Sequence, residues 1–101
     1  MESVVTNDMN HCLECGTTQN IDVHHCIHGY ANRKLSTKYK LLVPLCHRHH
    51  MELHNNAEMD FHYKAMAQTA FEKAYPDKNF REIFGRNYIT VNEQMKMEDL
   101  K

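Results

Sequence analysis

Histidine and cysteine are concentrated in the first half of this chain, and their concentration limits the folds it can adopt. The sequence has 9 His and 4 Cys in 101 residues, and all but one of them lie between His11 and His54. Imidazole and thiolate groups bind zinc and other transition metals, so a cluster of this density indicates a metal site. A chain this short builds a thin hydrophobic core, which a bound metal commonly supplements. We therefore expect one domain organised around metal.

Two pairs of potential ligands share the spacing of a structural zinc site. The first is C-x2-C and the second is C-x2-H, and the two-residue gap lets both members of a pair reach one tetrahedral ion. The predicted zinc ligands are Cys12, Cys15, Cys46 and His49. His11 and His47 are alternatives because each adjoins a ligand cysteine, whereas Cys26 lies outside both pairs and is predicted to be a packing residue.

Four other histidines form a second candidate site. His50 and His54 are four residues apart in a predicted helix and so share one face. His24 and His25 are adjacent in a predicted strand, so their side chains point to opposite faces. We expect a divalent cation at His24, His50 and His54. His25 is the predicted general base, since an ordinary imidazole pKa of about 6.5 suits proton removal near neutral pH. The alternative is a solvated helix whose histidines bind nothing.

The remaining pattern predicts an α+β chain with short elements. Alternating β-branched residues indicate a strand, and a single apolar stripe with an Asn before it indicates a long capped helix. The predicted elements are a strand at 21–25, a polar loop at 26–38, a strand at 39–43 ended by Pro44, a helix from about Cys46 to His54, a helix from Asn55 or Asn56 to Pro76, and a short helix at 78–84 ended by Gly85.

Positive charge is local rather than global. The net charge is −1, yet the stretch 23–50 has basic residues and no acidic ones. Such a face can bind phosphates even on a nearly neutral chain, although a solvated loop is an equal alternative. The candidate phosphate-binding residues are Arg33, Lys34, Lys38 and Lys40.

No apolar run approaches the roughly 18 to 20 residues that span a membrane. The first ten residues lack the basic and apolar regions of a signal peptide. We therefore expect a cytoplasmic protein and no membrane partner. In a reducing compartment, cysteines at metal spacing are more often ligands than disulfides.

The combined pattern resembles the HNH endonuclease superfamily. It runs C-x2-C-G, then V-H-H, then V-P-L-C-x2-H-H-x3-H, and it looks most like small phage-borne members, including Ref-like recombination-associated nucleases. The resemblance implies a ββα-metal core with a structural zinc knuckle at 11–55 and a helical extension at 56–91, which together form one nuclease domain. Residues 1–10 are expected to be a disordered leader and 92–101 a flexible tail.

The resemblance also implies roles for individual residues. The first His of V-H-H, His24, binds the catalytic cation with His50 and His54, and the second, His25, activates water. The family's zinc ligands correspond to Cys12, Cys15, Cys46 and His49. Many members have an Asn in the second strand that orders the loop carrying the base. This chain has Leu41 there, which leaves open whether Asn32 serves instead. His28 is a candidate for an extra ligand or phosphate contact.

The implied activity is metal-dependent hydrolysis of DNA with low sequence specificity, using zinc for structure and Mn²⁺, Mg²⁺, Ni²⁺ or Zn²⁺ for catalysis. The resemblance also implies that contacts to the DNA backbone come from Arg33, Lys34, Lys38 and Lys40. Imidazole ligands favour the softer ions over Mg²⁺. The alternatives are a non-catalytic zinc module that binds DNA or protein, and a nuclease that acts only with a partner. That partner would be a recombination, packaging or other phage or host protein, in the bacterial cytoplasm if the chain is phage-encoded. The oligomeric state is left open.

Overall fold

The computed structural model describes residues 2–89. They form a small α+β fold in which two antiparallel strands pack with four helices. The elements are β1 Ile21–His25, α1 Asn32–Lys38, β2 Leu42–Cys46, α2 His47–Leu53, α3 Ala57–Ala74 and α4 Phe80–Phe84. The flexible tail predicted at 92–101 lies outside the described residues.

The sheet confirms the first predicted strand and corrects the second. β1 has the predicted bounds, whereas β2 begins three residues later than expected and contains Pro44, which pairs with Val23. Proline lacks an N–H, so it fits a strand only where that group would face away from the partner. Here the outward carbonyl of Pro44 accepts a hydrogen bond from Leu13 N at 3.0 Å. Pro44 therefore lies within the strand at its outer edge.

The N-terminal residues run beside that same outer edge. Ser3 Oγ donates to the carbonyl of Leu42, and Val4 N donates to the carbonyl of Lys40 at 3.0 Å. Val4 and Val5 also pack against the core. These contacts differ from the disordered leader expected at 1–10, because the unpaired carbonyls of β2 give the segment partners that its own sequence does not reveal.

The segment between the strands contains α1, where a polar loop at 26–38 was predicted. Ser36 is fully buried, and its hydroxyl accepts from Ile27 N at 3.2 Å while donating to the Ile27 carbonyl. The carbonyl of Ser36 accepts from Leu41 N at 2.8 Å. A hydroxyl in the last turn of α1 therefore ties this helix to the end of β1. Asn32 opens the helix, and no hydrogen bond described for the chain links it to the loop.

α3 contributes one face to the apolar core. Asn56 caps it, accepting from Met59 N at 3.0 Å, as predicted. Its buried face presents Phe71, whose ring lies 5.2 Å from Tyr39 and 5.5 Å from Phe80 between centroids. These aromatic contacts connect α3, α4 and the segment before β2 in one core. Neither α3 nor any other helix within residues 2–89 combines the length and apolar character needed to cross a membrane.

Candidate functional site

The four predicted zinc ligands lie close enough to hold one metal ion. Their donor atoms are all within 4.8 Å of one another, and within residues 2–89 this is the one group of His, Cys, Asp or Glu that meets that limit. His49 Nδ1 lies 3.6 Å from Cys12 Sγ and 3.3 Å from Cys46 Sγ, while the sulfurs of Cys15 and Cys46 are 4.0 Å apart. Sulfurs bound to one tetrahedral zinc at about 2.3 Å are separated by about 3.8 Å. The set therefore fits a structural zinc.

Local backbone geometry brings the two halves of this set together. The turn after Cys12 is closed by Gly16 N, which donates to the Cys12 carbonyl at 2.8 Å. Gly16 has a φ of +78°, which other residues rarely adopt. Burial opposes ionisation of Cys12, but hydrogen bonds from the backbone of Cys46, Cys15 and Glu14 outweigh it and lower its pKa to about 6. A thiolate is the form that binds metal.

The alternatives to these ligands have other partners. His11 Nδ1 lies 2.6 Å from an Asp8 carboxylate oxygen, and His47 Nδ1 lies 2.9 Å from Asp22 Oδ2. Cys26 is fully buried, and burial raises the pKa of its thiol far above the ordinary value. It therefore behaves as a packing residue, in agreement with the prediction.

The second set of histidines lines one small cavity. A space of about 190 Å³ is bordered by the predicted base and all three predicted cation ligands. The residues around it are Val23, His24, His25, His28, Arg33, His50 and His54. The lining comes from β1, from His28 in the loop after it, from Arg33 in α1, from His50 in α2, and from His54, which directly follows α2. Residues that are far apart in sequence therefore face one space, together with His28, which was only a candidate.

The spacing of the three predicted cation ligands is more open than that of the zinc set. The ring of His50 lies 5.2 Å from that of His24 and 5.2 Å from that of His54, but His24 and His54 are 6.5 Å apart. Imidazoles bound to one ion at about 2.0–2.1 Å have ring centroids about 5 Å apart. Two separations match that value, and the third would shorten if the exposed His54 side chain turned inward.

His24 is buried without the hydrogen bonds that a buried polar group normally has. Its side chain is 2% exposed, and its Nε2 has no partner among the described residues. Leaving such an atom unpaired costs about 1–3 kcal/mol. Burial, followed by the nearby His50 and His28, lowers the pKa of His24 to about 4. The imidazole is therefore neutral near pH 7 and has a free nitrogen, as a metal ligand requires.

Two carboxylates that the sequence analysis missed support the histidines from outside. Asp22 Oδ2 accepts from His50 Nδ1 at 2.9 Å, and Asp60 Oδ1 contacts His28 Nε2 at 2.8 Å. A carboxylate on one ring nitrogen fixes the tautomer and directs the other nitrogen toward a metal. Asp22 is two residues before His24, so the alternation of a strand places both on one face, and this signal could have revealed it. Asp60 could not be found in this way, because it comes from α3.

His25 is held by a residue of α1. Its Nε2 lies 3.0 Å from Thr37 Oγ1, and that hydroxyl donates its single proton to the Arg33 carbonyl at 3.2 Å. Nε2 of His25 is therefore the donor to Thr37, an assignment that follows from the hydrogen-bond network, and Nδ1 is left free to accept a proton. Burial, followed by the charge of Arg33, lowers the pKa of His25. The ring is neutral near pH 7, the form that a general base requires.

The four predicted phosphate-binding residues have different surroundings. Arg33 borders the histidine cavity, and Lys34 is exposed on the same helix. Lys38 lies over the Tyr39 ring, 5.3 Å from its centroid, and Lys40 pairs with Glu2 at 3.0 Å. α1 therefore presents three basic side chains, of which Arg33 is nearest the histidines, while the charge of Lys40 is already partly neutralised.

No protein-family model matches this chain, and comparisons with curated proteins and with solved structures found no match.

Proposed function

We propose that this protein is an HNH-type endonuclease that uses a divalent cation to hydrolyse phosphodiester bonds in DNA with low sequence specificity. The observation that carries the proposal is the unpaired, buried Nε2 of His24 beside a cavity lined by the other three predicted catalytic histidines. An unpaired polar atom in a folded interior calls for an explanation, and a metal ion is a physical one.

The order of elements supports the same family. β1 carries His24 and His25, β2 returns antiparallel to it, and α2 begins directly after β2 and carries His50. This order of two antiparallel strands and a helix supports the proposal of a ββα-metal core, with α1 inserted between the strands. His49 and His50 are adjacent, so one turn of α2 serves both the zinc set and the histidine cavity.

In the proposed reaction each residue has a distinct task. His24, His50 and His54 would hold the cation, and a bound cation would stabilise the charge that develops on the scissile phosphate and on the leaving 3′ oxygen. His25 removes a proton from the attacking water through Nδ1, while Thr37 keeps the ring oriented. Arg33 contacts a neighbouring phosphate, and Lys34 and Lys38 extend that contact along the backbone.

Cleavage of supercoiled plasmid tests this function. Wild-type protein should nick or linearise the plasmid when Mn²⁺, Ni²⁺ or Mg²⁺ is added and not in their absence. The His25→Ala variant should lose at least about 100-fold in rate, the usual contribution of a general base, while retaining its zinc and its circular dichroism spectrum. His24→Leu should lose cleavage together with binding of the added cation, measured by calorimetry.

A different result would favour the non-catalytic zinc module. If folded, zinc-loaded wild-type protein cuts no plasmid with any cation and binds none at the histidine cavity, the nuclease proposal fails. If it binds the cation through His24 but cuts nothing, the remaining candidate is a nuclease that needs a partner protein. A bacterial cell extract would then be added to wild type and to His25→Ala. Cleavage with wild type alone would indicate activation by a partner, whereas equal cleavage with both would indicate contaminating nucleases.

A further inference from the structure

We infer that Tyr30 is a stacking platform for an unpaired base of a single DNA strand whose backbone lies along α1. This inference rests on the proposed function for the identity of the nucleic acid. It goes further in naming the form of the substrate, a strand with unstacked bases, and the residue that recognises it.

Tyr30 is far more exposed than the other large apolar side chains. Its side chain is 96% exposed, whereas Met51 and Phe61 are each 45% exposed. A tyrosine usually buries a large part of its ring, so a ring left wholly in water is available for a partner. It follows Gly29, whose φ of +108° turns the chain sharply as it leaves the histidine cavity.

The position of Tyr30 in the chain keeps it beside the candidate active site. Two residues before it is His28 and three residues after it is Arg33, and both line the histidine cavity. Consecutive Cα atoms are 3.8 Å apart, so the Cα of Tyr30 lies within about 8 Å of that of His28. Arg33 N donates to the Gly29 carbonyl at 3.0 Å, which fixes the turn that connects Tyr30 to α1.

The charge around Tyr30 identifies the partner. α1 follows at once with Arg33, Lys34 and Lys38 and with no acidic residue. An aromatic ring next to a row of basic side chains is the arrangement by which proteins hold single strands, because the cations follow the phosphates while the ring stacks on a base. The bases of an intact duplex are already stacked on each other. Tyr30 therefore favours single-stranded DNA over duplex.

The absence of tryptophan from the sequence gives a direct test, because a Tyr30→Trp variant carries a single indole. This variant, made in the His25→Ala background to prevent cleavage, is titrated with oligothymidylate, with an abasic strand of equal length, with duplex DNA and with oligouridylate. We expect oligothymidylate to quench the fluorescence strongly and the abasic strand to quench it little. Phe61→Trp in the same background is the matched control and should respond to neither, since the Phe61 ring contacts Tyr88.

Affinity provides a second measurement that needs no indole. By fluorescence anisotropy with labelled oligothymidylate, Tyr30→Ala should bind about tenfold more weakly than wild type, in line with the loss of one stacked base, and Tyr30→Phe should bind like wild type. Equal quenching by the abasic strand, or an unchanged affinity of Tyr30→Ala, would overturn the inference. Quenching by oligouridylate or duplex alone would also overturn it. If wild type cuts plasmid but the Tyr30 variants show neither base-dependent quenching nor weaker binding, this inference fails and the proposed function stands. If quenching depends on the base but wild type cuts no plasmid, the inference stands and the nuclease proposal fails.

Discussion

Asp22 is the residue on which the orientation of the histidine cavity depends most directly. It accepts hydrogen bonds at 2.9 Å from both His50 and His47, and these two bonds lower the pKa of its carboxyl. The carboxylate is therefore charged near neutral pH, and the ring N–H of His50 that donates to it is the one on Nδ1. That leaves Nε2 of His50 as the nitrogen available to a cation.

If the proposed function is correct, replacing Asp22 by Asn should weaken binding of the catalytic cation by about 10- to 100-fold, the usual cost of losing such an outer carboxylate. Calorimetric titration with Mn²⁺ or Ni²⁺ would measure the change, and zinc content should stay at the wild-type level. Asp8→Asn is a matched control because Asp8 also contacts a histidine, His11, and neither residue lines the cavity. Equal cation affinity in the Asp22 and Asp8 variants would mean that Asp22 does not orient His50.

At the scale of single elements, Ser36 connects α1 to the chain that follows β1. The buried hydroxyl bridges both backbone groups of Ile27, just after the strand that carries His25. Thr37, the next residue, contacts His25 itself. α1 thus fixes the chain that follows β1 and contacts His25, while Leu41, which directly precedes β2, is fully buried in the core.

Ser36→Ala should lower the free energy of unfolding by about 1–3 kcal/mol, because it leaves the Ile27 amide and carbonyl buried without a partner. If the proposed function is correct, the Ser36→Ala variant should also cleave plasmid more slowly with unchanged zinc content. The reason is that α1, whose Thr37 contacts His25, would be held less firmly. Chemical denaturation and initial cleavage rates would measure the two effects. Ser3→Ala removes a hydroxyl–carbonyl contact outside the cavity and serves as the comparison. A Ser36 variant as stable as wild type would contradict the assigned role.

Some elements could be predicted because they depend on residues that are close together in the sequence. The alternation at Ile21–His25, the cap at Asn56 and the left-handed Gly85 each depend on a few neighbouring residues, and each was predicted correctly. α1 and the course of β2 depend on distant partners. Nothing near Pro44 in sequence reveals that Leu13 will bond to its carbonyl.

The candidate site likewise has residues that the sequence predicts and residues that only the structure reveals. The zinc set was predictable because pairs at fixed spacing must converge on one ion. His24, His25, His50 and His54 border one cavity, and their role as a second site stays a prediction. Thr37 lies in α1 and Asp60 in α3, and only the tertiary structure reveals that they contact His25 and His28.

For the molecule as a whole, the zinc set connects the N-terminal turn to the junction of β2 and α2. Removing zinc should therefore destabilise the entire fold. A metal whose free concentration is 1,000 times its dissociation constant adds about 4 kcal/mol to the free energy of unfolding. Cys46→Ser should lower the melting temperature more than Cys15→Ser, because Cys46 is buried at that junction whereas Cys15 is exposed.

Calorimetric melting and zinc analysis by mass spectrometry would test this ranking. Cys26→Ala is the control, since it should keep a full complement of zinc while losing only packing. Full zinc occupancy and an unchanged melting temperature in Cys46→Ser would show that the four residues do not share a structural ion.

The occupied outer edge of β2 has a consequence for how copies of this chain behave at high concentration. A two-stranded sheet has edge strands with unpaired backbone groups, and another molecule can add a strand there, which leads to aggregation. On β2 the carbonyls of Leu42 and Pro44 already accept bonds from Ser3 and Leu13, and Pro44 offers no amide. The segment from Ser3 to Leu13 thus protects the edge of β2, and deleting it would expose that edge to pairing with another copy of the chain.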